Sequence, residues 1–173
     1  MPAGKTQLLH ATCLLIDGSG VLLTGLAGSG KSDLALRLID RAGALSAMGA
    51  EPIGNDNRLV ADDQVELWRD EAGRLFGKAP AALAGRLEVR GLGIVEVAHA
   101  GQAEITLAVE LVPADAIDRL PDHAVRHMTV AGAALPLIRL AAFEASAIAK
   151  LRLAVRLLRK AREVDGEWHM DSA

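Results

Sequence analysis

The chain has 173 residues, 51% hydrophobic and 24% charged, which is enough apolar material for a buried core and excludes a disordered chain. A formal charge of −3 argues against a protein that tracks nucleic-acid phosphates. The single cysteine, Cys13, excludes a disulfide framework and a cysteine-based zinc site. No apolar run reaches the length of a membrane span, and residues 1–6 lack the apolar stretch of a secretion signal. A soluble cytoplasmic domain is expected, with neither membrane nor nucleic acid as a partner. Residues 8–16 predict a strand broken at His10 and Thr12. Asp17-Gly18-Ser19-Gly20 is turn chemistry, and residues 21–24 complete an expected hairpin. A glycine-rich loop over 25–30 leads into residues 31–41, where Leu34, Leu38 and Ile39 recur at helical spacing. Residues 43–57, punctuated by Gly43, Gly49, Pro52 and Gly54, read as a long loop. Leu59-Val60-Ala61 is a short apolar strand ending in Asp62-Asp63. Residues 65–68 alternate and are expected to pair with Leu75-Phe76 across a turn at 70–73. Residues 87–89 and 94–97 read as strands around Arg90-Gly91-Leu92-Gly93, and residues 105–112 as another. Residues 113–127 read as polar and irregular, and 130–138 as extended pieces. Ile148, Leu151, Val155 and Leu158 mark a helix over 141–163, with basic residues late in it that suit the helix dipole. Residues 165–173 read as a frayed tail. No repeat or linker divides the chain, so one domain over 1–173 is expected.

Gly25-Leu26-Ala27-Gly28-Ser29-Gly30-Lys31-Ser32 matches the phosphate-loop pattern G-x-x-x-x-G-K-[ST]. Glycines let successive backbone N–H groups turn inward around phosphate oxygens. The helix beginning at Lys31 adds its positive end. Lys31 is then a point charge for the β and γ phosphates, and Ser32 a hydroxyl for Mg²⁺. An apolar strand before the loop and a helix after it supply the expected setting.

Phosphoryl transfer also needs carboxylates near the metal. Asp62 and Asp63 close an apolar strand, where neighbouring side chains point oppositely. One is then aimed at a nucleophile's proton and the other at Mg²⁺ or a supporting lysine. A solvated turn is the alternative for this pair. Glu88 and Arg90 alternate with apolar Leu87 and Val89 and precede a Gly-Leu-Gly turn. They share a strand face, either to hold a metal–phosphate complex or as an edge-strand ion pair worth about 0–1 kcal/mol. His99, His123, His127 and His169 show no metal-ligand spacing, and Cys13 reads as a core residue.

Taken together, His10, the loop from Gly25 to Ser32, Arg58-Leu59-Val60-Ala61-Asp62-Asp63, Leu87-Glu88-Val89-Arg90-Gly91-Leu92-Gly93-Ile94 and Asp118-Arg119-Leu120 resemble, in order, the motifs of HPr kinase/phosphorylase. The resemblance covers residues 8–120 and, more weakly, the last helix. It implies an α/β phosphate-loop (P-loop) kinase domain akin to phosphoenolpyruvate carboxykinase, with a mixed sheet, a long C-terminal helix and a hexameric assembly. It implies an ATP- and Mg²⁺-dependent kinase that phosphorylates a serine of HPr, the phosphocarrier of the sugar phosphotransferase system. By position, Asp62 is implied as the proton acceptor and Lys31 as the stabiliser of charge on the phosphoryl group. Ser32 and Glu88 are implied as Mg²⁺ ligands, with Asp63 expected on the metal side. Arg119 is implied as the catalytic arginine, and His10 as the histidine before the loop, where a sheet histidine is the plain alternative.

The chain departs from the family pattern in places. Ala11 follows His10 where the family has glycine. Only residues 98–103 remain of a glycine-rich loop. Leu137-Ile138-Arg139-Leu140-Ala141-Ala142 replaces the basic loop linked to dephosphorylation. Reverse phosphorylase activity is therefore expected to be weak or absent. A P-loop kinase with another substrate, and a nucleotide-binding regulatory module that transfers nothing, are the competing readings.

Overall fold

The computed structural model describes residues 6–41, 57–120 and 125–164. The expected loop at 43–57, apart from Asn57, the expected tail at 165–173, and His123 and His169 lie outside the described residues. The first stretch forms two strands, β1 (Gln7–His10) and β2 (Thr12–Ile16), parted at Ala11. β2 returns through Asp17 and Gly18, at φ 48° and 81°, into β3 (Ser19–Thr24). Two residues at positive φ make the turn whose twist suits a hairpin, and Thr12 faces Leu23 while Ile16 faces Ser19. α1 (Lys31–Arg41) follows the glycine loop and buries Leu34, Ala35, Leu38 and Ile39.

β4 (Arg58–Ala61) and β5 (Gln64–Arg69) come next, then β6 (Leu75–Lys78). β5 and β6 pair antiparallel with Trp68 opposite Phe76, as the alternation predicts. β7 (Arg86–Val89) and β8 (Gly93–Glu96) form a separate two-stranded sheet. Gly91 and Gly93, both at positive φ, turn the chain between them. Arg90 therefore lies past the end of β7, and the strand alternation expected to align it with Glu88 stops at Val89.

β9 (Ala103–Leu111) is the axis of the large sheet. It runs parallel to β3 on one edge and to β11 (Ala133–Leu140) on the other. Thr24 lies beside Glu110, and Leu140 beside Leu111, so all three strands end at one edge of the sheet. Ligands of α/β sheets bind at such an edge. β10 (Arg126–Val130) forms a hairpin with β11, so the last two positions of the expected irregular stretch 113–127 are strand, and Ala114–Ala116 form a 3-10 turn. The central strands are buried on both sides. Val21, Leu23, Leu107 and Val109 face α1 and α2 (Ala147–Val164), while Leu22, Ala108 and Cys13 face a second apolar cluster. Burial on both faces accounts for the near-continuous apolar runs in these strands.

The last helix begins at Ala147, six residues later than expected from its periodicity. Residues 141–146 are instead a turn, held by Glu144 N–H donating to Ala141 O and Ala147 N–H to Glu144 O. No helix among the described residues is long and apolar enough to cross a membrane.

Candidate active site

Between β3 and α1 the backbone takes positive φ at Gly25 (140°), Gly28 (79°) and Gly30 (96°). Side chains rarely adopt these conformations. Space excludes them as well: a Cβ on Gly25 would lie 2.8 Å from Leu111 O, and one on Gly30 2.7 Å from the Ala142 Cβ. The loop thus follows a path that requires glycine at these points, at the carboxyl edge where β3 and β9 end. Ser29 N–H donates to Leu26 O at 3.1 Å and tightens it. Lys31 is buried and donates from Nζ to Gly25 O at 3.1 Å and Leu26 O at 3.2 Å, so its ammonium lies against the loop. Ser29 Oγ is buried without a hydrogen-bond partner among the described residues. A cation, a glycine backbone, a helix N-terminus and an unpaired hydroxyl in one place fit a polyphosphate.

The two aspartates owe their directions to a break in one long ladder. β1 pairs antiparallel with β5, from Gln7 opposite Leu67 to His10 opposite Gln64. β2 pairs antiparallel with β4, with Cys13 opposite Ala61. Residues 11–12 and 62–63 fall between these two stretches. There Asp63 takes φ 67°, Gln64 N–H donates to Asp62 O at 2.8 Å, and Ala11 N–H to Asp63 O at 3.3 Å. Irregularities of this kind re-aim side chains beside active sites.

Asp62 points inward and is 5% exposed. Its Oδ1 accepts from Thr12 Oγ1 at 2.7 Å. Ser32 Oγ lies 3.0 Å from Oδ1 and 3.1 Å from Oδ2. Glu88 N–H donates to Oδ2 at 3.3 Å. A buried carboxylate requires such donors, and charge-assisted bonds are the strong kind. Asp63 points outward, its Oδ1 3.0 Å from His10 Nδ1, with both side chains more than half exposed.

The structure therefore brings Lys31, Ser32, Asp62 and the backbone of Glu88 together, with His10 and Asp63 as an exposed pair on the adjoining ladder. The Glu88 side chain is exposed. Arg119 is exposed beyond the 3-10 turn, and no described hydrogen bond or ion pair joins it to this cluster. Ser32, Asp62 and Glu88 offer hard oxygens of the kind Mg²⁺ takes. Among the described residues no three His, Cys, Asp or Glu side chains converge on a metal position. That also fits Mg²⁺, which usually takes one or two carboxylates and completes its shell with phosphate and water. Thr12 was not anticipated as a site residue. A lone strand threonine carries no signal; only the pairing of residue 13 with residue 61 puts it beside Asp62.

The chain is similar to several known proteins. The family model described as HPr Serine kinase C-terminal domain matches residues 3–163. An HPr kinase/phosphorylase of Lactobacillus acidophilus is 35% identical over 115 residues, covering 62% of this chain and 31% of the relative. One from Clostridium beijerinckii is 42% identical over 89 residues, covering 51% of this chain and 24% of the relative. The chain thus spans less than a third of the length of these relatives. A solved structure of the HPr(Ser) kinase/phosphatase from Coxiella burnetii is 30% identical, with a TM-score of 0.73 over 91% of this chain and 99% of that one. It has the same mixed α/β architecture, with a large sheet and a C-terminal helix. With the family match running from residue 3, ahead of β1, into the last helix, the chain belongs to the HPr serine kinase C-terminal domain family.

Proposed function

We propose that this chain is an ATP- and Mg²⁺-dependent protein-serine kinase domain whose acceptor is a seryl hydroxyl of an HPr-like phosphocarrier. The observation that carries the reading is the convergence of Ser32, at the start of α1, on the buried Asp62 carboxylate beside the glycine loop and Lys31. On this reading residues 25–32 are a P-loop, in a fold related to phosphoenolpyruvate carboxykinase, and the unit acts in the cytoplasm as a homo-oligomer.

Loop N–H groups and Lys31 would hold the β and γ phosphates, Lys31 exchanging its two loop carbonyls for phosphate oxygens. Ser32, Asp62 and Glu88 would hold Mg²⁺, which when bound neutralises charge on the phosphates. The seryl oxygen forms a bond to the γ phosphorus as the bond to ADP breaks, and the hydroxyl proton leaves to a carboxylate. We assign that proton to Asp63, supported by His10, and the metal side to Asp62, exchanging the roles expected from sequence. The reason is access: an incoming protein side chain can reach an exposed carboxylate, whereas Asp62 is buried and occupied by three donors. Arg119 is proposed to approach the transferred phosphoryl group once both substrates are bound.

The test is incubation with ATP, Mg²⁺ and the HPr homologue of the same genome, read by intact mass. One added phosphate on a serine is expected; no added mass overturns the kinase reading and favours a nucleotide-binding regulator. Adding inorganic phosphate to the phosphorylated product is expected to return little free HPr, and rapid return would establish an efficient reverse reaction.

A further inference from the structure

Of the three donors on Asp62, Thr12 makes the shortest contact, 2.7 Å against 3.0 to 3.3 Å for the others. Ser32 Oγ is nearly equidistant from the two carboxylate oxygens and so does not choose between them. The Glu88 N–H contact is long. Left to these two, the carboxylate can turn about its terminal bond, which has a broad torsional preference. The Thr12 hydroxyl removes that freedom by tying down Oδ1.

Thr12 is itself firmly held. It is 1% exposed, and it sits in β2 between β3 and β4. Its β-branched side chain has few rotamers open to it. Its hydroxyl faces Asp62, the one buried carboxylate among the described residues.

We infer that Thr12 is a positioning residue: it fixes the plane of the Asp62 carboxylate, and through it the direction in which Ser32 presents its oxygen to the Mg²⁺–nucleotide. With its proton engaged by Asp62, Ser32 Oγ keeps its lone pairs for accepting. The inference rests on the kinase reading and adds a residue to it.

The experiment compares Thr12→Val, which keeps shape and removes the donor, with Thr12→Ser, which keeps the donor. ATP affinity is measured by calorimetry with Mg²⁺ and with EDTA, and phosphate transfer is followed across a Mg²⁺ titration. Thr12→Val is expected to weaken Mg²⁺-dependent nucleotide binding about 10- to 100-fold, the usual effect of losing an outer partner of a metal ligand. Affinity in EDTA is expected to stay at the wild-type value, and Thr12→Ser to restore the Mg²⁺ response. Thr12→Ala serves as a second donorless variant should valine not fold. Wild-type behaviour in the donorless variants, or a Thr12→Ser variant as impaired as Thr12→Val, overturns the inference while leaving the kinase reading standing. Absence of nucleotide binding and transfer in the wild type overturns the kinase reading, and the inference with it.

Discussion

Asp62 and Asp63 are adjacent in the chain and opposite in environment. One is 5% exposed and accepts from Thr12, Ser32 and the Glu88 N–H; the other is more than half exposed beside His10. Changing each to asparagine separates their roles. Asp63→Asn is expected to lower kcat by about 10²–10⁴, the range for losing a general base, with MgATP affinity unchanged. Asp62→Asn is expected to lose the Mg²⁺ enhancement of ATP binding as well as transfer. Equal effects of both changes on MgATP binding would return the proton to Asp62. Lys31, Ser32 and the aspartate pair could be read from the sequence because a short local motif or a strand end carries each of them. Thr12 could not, since its partner lies 50 positions away and the intervening chain says nothing about the pairing. Strand alternation already sends Asp62 and Asp63 in opposite directions, but which of the two is buried follows from the positive φ of Asp63 and the broken ladder around it.

Segments that are neither helix nor strand also shape the site. Residues 141–146 show this most clearly. Ala141 and Ala142 are buried and continue the apolar pattern of α2 upstream, which is why periodicity alone extends the helix to 141. Packing decides otherwise. Arg37 of α1 donates to Ala142 O, and the Ala142 and Phe143 side chains lie against Gly30. A helix there would withdraw these contacts from the glycine loop. Gly30→Ala tests the arrangement: at φ 96° a Cβ would meet Ala142 at 2.7 Å and the Phe143 ring at 3.0 Å. The expected cost is about 1–3 kcal/mol in urea denaturation, as for other overpacked sites, together with loss of nucleotide binding. An alanine variant of wild-type stability would show that residues 141–146 yield freely. By contrast, the β2–β3 and β5–β6 hairpins were readable because their turns and alternation are local.

At the scale of the whole molecule, two apolar clusters lie on opposite faces of the large sheet. Cys13, in β2, belongs to the one away from the helices and is fully buried. Burial pushes its thiol far above the usual range, so the folded protein holds it protonated. A thiol reagent is therefore expected to leave Cys13 untouched under native conditions and to modify it in step with urea unfolding. Modification before the unfolding transition would mean that β2 opens locally. The strands themselves were readable from their apolar residues, whereas the order β1-β5-β6-β9-β3-β2-β4 was not, because it joins strands far apart in sequence.

The reach of the contacts on Asp62 has a consequence for how the chain becomes active. Thr12 meets it across 50 positions, Ser32 across 30 and Glu88 across 26. No fragment shorter than these spans contains the centre. Hairpins and helices form from neighbours early, while pairings that close long loops come late because their entropy must be met first. The carboxylate cluster is thus expected among the last features to assemble. A nucleotide taken up there, as proposed, is expected to stabilise the completed fold by about 2.7 kcal/mol at a hundredfold excess over Kd.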